Sequence, residues 1–405
     1  MILAVTKRFR EISSSVLVLP IILTFLGLLT LKSIAQHQDG MTSFEKQFTY
    51  LIPAILGLFT VLFIPKNAIH KYSYIAYGAI LIGITIPYFG ESTAGTYRWI
   101  DLGVLSIQPS EYAKWITILV LARYLSDHKL EVRNFTVVII PIILVLIPTA
   151  IILKQPDLGT AAVLLTPVFP MLYWVGARPY HLFLLIAPIL SIVTAFHMAS
   201  FVIWVIIVAT VLYLNSSTIS RGITTFFTNI FLGLFAPLIW NSLHAYQQKR
   251  ILTLFNPELD PLGAAYQIIQ SQTAIGSGGL LGKGWGLGTQ THLKFLPVQE
   301  SDFILSVIGE ELGFIAVLFI LILFAAFISR IVFKAFECTD RFSGLALVGI
   351  ASVFLAHVFV NTAMTIGLIP VKGLPLPFVS YGGSFLLSCY MMLGIVLNLS
   401  IKSPT

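Results

Sequence analysis

The chain has 405 residues, of which 57% are hydrophobic and only 10% charged, and its mean hydropathy is +0.92. That composition excludes an ordinary soluble enzyme and a disordered chain, and two cysteines, Cys338 and Cys389, give no disulfide framework. The net charge of +7 is therefore read loop by loop and not as a nucleic-acid footprint.

Apolar runs of about 20 residues are what a bilayer core demands, and continuous rather than alternating runs specify helices over a barrel. In chain order, spans are expected at 14–34, 49–65, 73–89, 109–126, 135–153, 160–175, 181–198, 200–214, 222–241, 304–333, 343–368 and 378–400. The expectation is an all-α polytopic membrane protein of about 12 transmembrane helices, forming one domain over residues 1–405. Val16–Leu31 behind Lys7, Arg8 and Arg10 also fits a signal peptide with Ser33-Ile34-Ala35 as its cleavage site, but its length favours a retained first helix. Short, Pro-interrupted runs in 160–241 leave room for fewer helices or re-entrant pieces.

Lys and Arg in the loops set the orientation. With the N-terminus cytoplasmic, fourteen fall inside and nine outside, and four of the nine (Lys249, Arg250, Lys283, Lys294) sit in a long loop that the rule discounts. Both termini are then cytoplasmic. Arg98–Asp101, Lys154–Asp157, the long loop 242–303 and Gly373–Gly383 all fall on the outer face, where a working site is expected.

Residues 247–313 form the only long polar interlude, with an amide-rich segment (Gln267, Gln270, Gln272) and seven glycines between Gly276 and Gly288. The glycines do not cradle a nucleotide. A P-loop needs Gly, four residues, then Gly-Lys-Ser/Thr, whereas Gly282-Lys283 is followed by Gly284 and has Ser277 where the first glycine belongs. They are read instead as points where the backbone turns sharply near a membrane surface.

Ionisable groups inside spans are costly and hence functional candidates. Glu111 and Lys114 lie three apart on one helix face, as a self-neutralising packing pair or as ligand contacts. Glu310 and Glu311 sit early in the tenth span, and one of them is expected to partner a cation or a helix end. Asp302 stands where the polar loop meets that span. It is either an N-cap or a half-desolvated general base whose pKa burial and the neighbouring Glu300 would raise. Asp157 has a helix-start alternative as well, and Trp99 is either an interfacial anchor or a sugar-stacking ring. Gly373–Pro377, followed by Ser380-Tyr381-Gly382-Gly383, reads as a broken helix entry that protein or a water-lined cavity must cover.

These segments carry a resemblance. Trp99–Gly103 leading to Gln108-Pro109-Ser110-Glu111, Gln155–Thr160, Gly282–Trp285, Gly288-Thr289-Gln290, Phe295-Leu296-Pro297, Ser301–Ile304, Gly309–Gly313 and Leu376–Gly383 resemble the SEDS family of bacterial cell-wall proteins. Within it, Gln155–Thr160 and Gly373–Pro377 are closer to the elongation member RodA than to the division member FtsW. The resemblance implies a peptidoglycan glycosyltransferase that polymerises lipid II, the undecaprenyl-pyrophosphate disaccharide-pentapeptide. It would act on the outer face of the cytoplasmic membrane, beside a class B penicillin-binding protein and other elongation-complex membrane proteins. It places the family's essential acid on Asp302, its functional loop tryptophan on Trp99 and its intramembrane polar pair on Glu111 and Lys114.

Asp302 would then take the base role or help hold a divalent cation, Mg or Mn, and Arg98, Lys249, Arg250 or Lys283 would neutralise the leaving pyrophosphate. Asp157, Glu310 and Ser380 complete the expected substrate-binding set. The chain departs from RodA at Val298-Gln299-Glu300-Ser301, where RodA proteins usually carry Glu-Arg-His-Thr, and Lys372 before Gly373 is a division-branch feature. The family usually has ten spans, so 175–241 is expected to hold an extra hairpin. Alternative readings of the same residues are a lipid II flippase, supported by the Glu111/Lys114 pair, and a non-enzymatic scaffold of the wall-synthesis complex.

Overall fold

The computed structural model describes residues 13–401 except 37–39, 91–95, 102, 104–105, 128–137, 216–218, 244, 246–247, 250–251, 254–258, 264 and 294. The first three helices are α1 (Ser14–Ala35), α2 (Ser43–Phe63) and α3 (Lys66–Gly83). A two-stranded hairpin, β1 (Ile100–Asp101) and β2 (Ser106–Ile107), leads into α4 (Pro109–Asp127) and α5 (Ile139–Lys154). Then come α6 (Leu158–Leu165), α7 (Val168–Trp174), α8 (Pro179–Thr194), α9 (Met198–Asn215), α10 (Ile219–Leu234) and α11 (Ala236–Ser242). The polar stretch holds α12 (Tyr266–Gly278) and α13 (Thr289–His292), and α14 (Ile304–Glu337), α15 (Arg341–Thr365) and α16 (Gly383–Ser400) close the chain.

Helix occupies each of the twelve apolar stretches read from the sequence. Among the described residues, eight helical segments are long and apolar enough to cross a membrane. The other four stretches are the shorter apolar helices α5, α6–α7 and α8, together with α4, which carries Glu111, Lys114, Arg123 and Asp127. The number of crossings between eight and twelve turns on those four.

Close packing depends on small residues, since lipid gives helices no hydrophobic reason to meet. A Cβ on Gly394 of α16 would lie 2.6 Å from the Leu58 carbonyl of α2. Asn398 Nδ2 donates to the Val61 and Ile64 carbonyls (2.8 and 2.7 Å), closing the C-terminal end of α2. Lys66 Nζ does the same for α16 at Leu399 O (3.1 Å) and Ile401 O. Helix ends thus satisfy one another where water is scarce.

The polar stretch is not a free loop. The buried face of α12 (Ile268, Ser271, Ala274, Gly278) packs on the first turns of α14, and Ser271 Oγ meets Ser306 Oγ at 2.7 Å and donates to Thr365 O at 2.6 Å. An unbroken α14 of 34 residues would run about 51 Å, well past a hydrocarbon core of about 30 Å. It breaks at Gly313 (φ 80°, ψ −178°). The freed groups bond to an inserted loop: Lys283 N and Gly284 N donate to Glu310 O and Glu311 O (3.0 and 2.9 Å), while Phe314 N and Ile315 N donate to Gly279 O and Leu280 O (2.9 and 3.2 Å). The glycines do turn the chain, as φ +80° at Gly282 shows, but a Cβ there would also run into the Glu311 carbonyl. They permit backbone to lie on backbone.

Helices α8, α9 and α10 form a peripheral group, joined by Ser191 Oγ, which receives Trp204 Nε1 at 2.8 Å and donates to Asn229 Oδ1 at 3.3 Å. This group occupies most of the 175–241 stretch.

A Gly282→Ala variant is expected to lose about 1–3 kcal/mol from backbone strain alone, seen as a lower melting temperature in detergent. Gly276→Ala, inside α12 with nothing within 4 Å of its added Cβ, should melt no lower than the parent.

Candidate functional site

Four polar segments meet at one end of the bundle. Tyr381 N donates to Glu300 O (2.8 Å), and Ser380 Oγ donates to Ser301 O while accepting from Leu376 N (2.8 Å), so the 298–302 turn and the 373–382 segment are stitched together. Gln47 of α2 seals the same segment through Ser380 O (3.1 Å) and Gly382 N (3.0 Å), and Ser43 Oγ donates to Glu300 Oε2. The third segment, at Asp157, reaches them through Gly159, where a Cβ would lie 2.7 Å from Lys372 O. Arg98, the fourth, donates to Gln155 O (3.2 Å) and Pro156 O, and its guanidinium stands 4.0 Å from Asp157 Oδ1.

Asp302 lies at the centre, half-buried, and it does not cap α14: the N-cap position is Phe303, with no side-chain bond. Its carboxylate accepts from Ser301 Oγ at 3.1 Å, and a Cβ on Gly373 would lie 3.5 Å from Oδ2. Gly373 is thus the residue facing the acid, and its φ of +63° is what favours glycine there. Burial raises the Asp302 pKa above the usual aspartate value, with the Ser301 hydroxyl pulling weakly the other way. The non-glycine residues with positive φ among the described residues are Pro156 (33°), Val298 (54°) and Phe378 (64°), all in the segments around this acid. Strain of that kind persists only where the surroundings over-determine it. At Phe378 the clamp is aromatic, with Phe327, Phe354 and Tyr390 rings 5.5–5.7 Å away.

Other expected residues have separate settings. Asp157 is the N-cap of α6, accepting from Thr160 N (3.2 Å) and Thr160 Oγ1 (2.9 Å), and it also holds Gln108 Nε2 (3.1 Å). Its helix-start role and its place beside Arg98 coexist. Glu310 is fully buried, with Lys283 Nζ at 2.7 Å, Thr289 Oγ1 at 3.1 Å and the Gln290 and Thr291 backbone N–H groups at 2.9 and 3.2 Å. It joins a cation to the start of α13, and that closed set leaves Lys283 engaged inside the protein. Glu311 accepts from Ser33 Oγ of α1 at 2.7 Å. Lys249 pairs with Asp260 at 3.0 Å. Trp99 is exposed beside the hairpin, and Arg250 lies outside the described residues.

Glu111 and Lys114 pair at 2.7 Å, fully inside the protein. Lys114 Nζ continues to His357 Nε2 (2.9 Å), whose Nδ1 reaches Pro375 O (3.2 Å). One turn on, Asn361 Nδ2 donates to both Asp302 O (2.9 Å) and Leu374 O (2.8 Å). The sequence reading did not single out His357 or Asn361. Their signal was two polar residues four apart in an apolar run. Among the described residues no group of three or more His, Cys, Asp or Glu side chains could hold a metal ion. A cation here would have Asp302 as its protein ligand and need substrate oxygens for the rest, a set that suits Mg²⁺.

A polytopic helical membrane protein with an acid held among strained polar segments is the class that fold and site define. The family model described as "Cell cycle protein", covering FtsW, RodA and SpoVE, matches residues 13–201 and 186–404, and the chain belongs to that family. It is 34% identical over 323 residues to the peptidoglycan glycosyltransferase MrdB of Escherichia coli K12, covering 79% of this chain and 75% of that protein. It is 31% identical over 416 residues to the peptidoglycan glycosyltransferase RodA of Treponema pallidum, covering 94% and 95%. A solved chain from a peptidoglycan synthase complex that coordinates polymerization and crosslinking superposes with a TM-score of 0.74 at 27% identity, over 96% of this chain and 97% of that one.

If Asp302 must be ionised to act, activity is lost as pH falls through its raised pKa, so the acid limb of kcat/KM lies above the usual aspartate value of about 3.9. Ser301→Ala removes the one pKa-lowering contact and should move that limb to higher pH, measured by polymerisation rate against pH.

Proposed function

We propose that this chain polymerises lipid II, with Asp302 as the base. It is a peptidoglycan glycosyltransferase of cell elongation and shape maintenance. The observation that carries the reading is a half-buried carboxylate unused by its own helix, with glycine opposite, where four polar segments meet. A sugar hydroxyl of one lipid II gives its proton to Asp302 as its oxygen bonds to the anomeric carbon of another. The bond from that carbon to pyrophosphate breaks, and the pyrophosphate leaves with the electron pair. Of the expected cations Arg98 stands in the segments that converge near Asp302, bonded to the Gln155 and Pro156 carbonyls, whereas Lys283 pairs with Glu310 and Lys249 with Asp260 away from them. Trp99, exposed beside Arg98, suits stacking on a sugar ring.

The reaction faces outward in this reading, because the four segments lie opposite the more basic loops. A divalent cation, when bound between Asp302 and the pyrophosphate, would supply charge neutralisation. A class B penicillin-binding protein is the expected partner, crosslinking the strands this chain makes, and other elongation-complex membrane proteins would assemble with the pair.

The test is a strand-formation assay on purified protein with lipid II, with and without Mg²⁺ or Mn²⁺. Wild type should give glycan strands, and Asp302→Asn should lose at least about 10²-fold in rate. An active Asp302→Asn protein would refute the base assignment. No strands from wild type, even with the penicillin-binding protein added, would turn the reading to a flippase or scaffold.

A further inference from the structure

We propose that His357 and Asn361 form a positioning clamp for Asp302, and that the intramembrane Glu111–Lys114 pair serves the reaction through this clamp without touching substrate. The inference rests on Asp302 being the base. Both clamp residues are on one face of α15, four apart, and both are fully buried. Asn361 spends its two amide hydrogens on carbonyls of the two segments that enclose the acid, Asp302 O at 2.9 Å and Leu374 O at 2.8 Å. One side chain therefore sets the spacing between the base and the segment facing it.

His357 holds the next residue of that segment. A lysine ammonium only donates, so Nε2 of His357 accepts from Lys114 Nζ (2.9 Å), and the ring is neutral with its proton on Nδ1. That N–H donates to Pro375 O at 3.2 Å. Lys114 thereby fixes the tautomer that grips the 373–377 segment. The ammonium is itself neutralised by Glu111 at 2.7 Å and lies 5.0 Å from the Phe385 ring centroid, and the same ring packs at 4.8 Å on His357. The line from Glu111 to Asp302 is not a proton wire, because a proline carbonyl has no proton to pass on. Nor do these side chains reach substrate, since Lys114, His357 and Asn361 are each no more than 1% exposed. What remains is mechanical: a fixed ion pair orients an imidazole, and two side chains hold the segment whose Gly373 faces the base.

The experiment compares kcat and KM for lipid II polymerisation by the full chain, with melting curves for each variant. His357→Leu and Asn361→Leu should lower kcat by about 10–100-fold, as expected for a base misplaced by about 1 Å, and leave KM nearly unchanged. His357→Gln can accept from Lys114 and donate to Pro375 O, so it should recover most of the kcat lost in His357→Leu. Lys114→Met should lower kcat alone and add nothing in the His357→Leu background, because coupled residues fail to multiply their effects.

A rise in KM with kcat intact, multiplicative losses in the double variant, or a His357→Gln protein as slow as His357→Leu would each overturn the proposal. Where a leucine variant fails to fold, Asn361→Ser and His357→Gln decide by the same split. Asn361→Ser should lower kcat at constant KM, and a wild-type rate would overturn the proposal. A wild-type protein that makes no strands overturns the reading of Asp302 instead, so the two failures are distinguishable.

Discussion

Inside a bilayer every backbone N–H and C=O must find a partner within the protein, and the break in α14 is where this chain meets that constraint most sharply. A 34-residue helix is longer than a hydrocarbon core is thick, and Gly313 interrupts it. The interruption frees carbonyls and N–H groups inside an otherwise apolar helix. Loop 279–284 supplies their partners by laying its own backbone into the gap, and only glycine at 278 and 282 lets it come close enough. Glu310 then ties the far side of that loop to α13 and to Lys283. The first turns of α14 are thereby tied down as a short helix directly after Asp302. The position of the acid descends from a hydrogen-bond requirement several residues away.

The second half of the site depends on a different constraint, the expense of polar groups inside apolar helices. The chain keeps an ion pair, a histidine and an asparagine in its interior, and each has a partner there. Hydrophobic replacements of similar volume often match or exceed a buried ion pair in stability, so retention of Glu111 and Lys114 is weak testimony for stability. Their retention makes sense where they orient something. The 373–377 segment, irregular backbone between α15 and α16 with little structure of its own, is what they orient.

Strain has a similar distribution. Val298 and Phe378 hold positive φ without being glycine, one on each segment enclosing Asp302. Aromatic packing holds Phe378 in place, and hydrogen bonds from Ser301 N and Asp302 N to Val298 O hold the other turn. A carboxylate raised in pKa by burial needs such rigid walls, because a mobile segment would let water in and return it to an ordinary aspartate.

Membrane residence, helical class and the position of every apolar helix were legible in the sequence, because a bilayer reads hydropathy almost directly. The convergence of Arg98, Asp157, Asp302 and Gly373 on one end was legible too, since alternating spans sort loops by side. The helical nature of 266–278 was not, because Gln267, Gln270 and Gln272 mask its narrow buried stripe. The same holds for the role of the glycines, since a turn and a backbone-to-backbone contact ask for the same residue. Glu310 and Lys283 looked like site residues as separate charges, and only the fold pairs them with each other. His357 and Asn361 acquire meaning when α15 is laid against the 373–377 segment. Hydropathy acts residue by residue and can be read in one dimension, whereas hydrogen-bond partners twenty to two hundred and fifty residues apart exist only once the helices have packed.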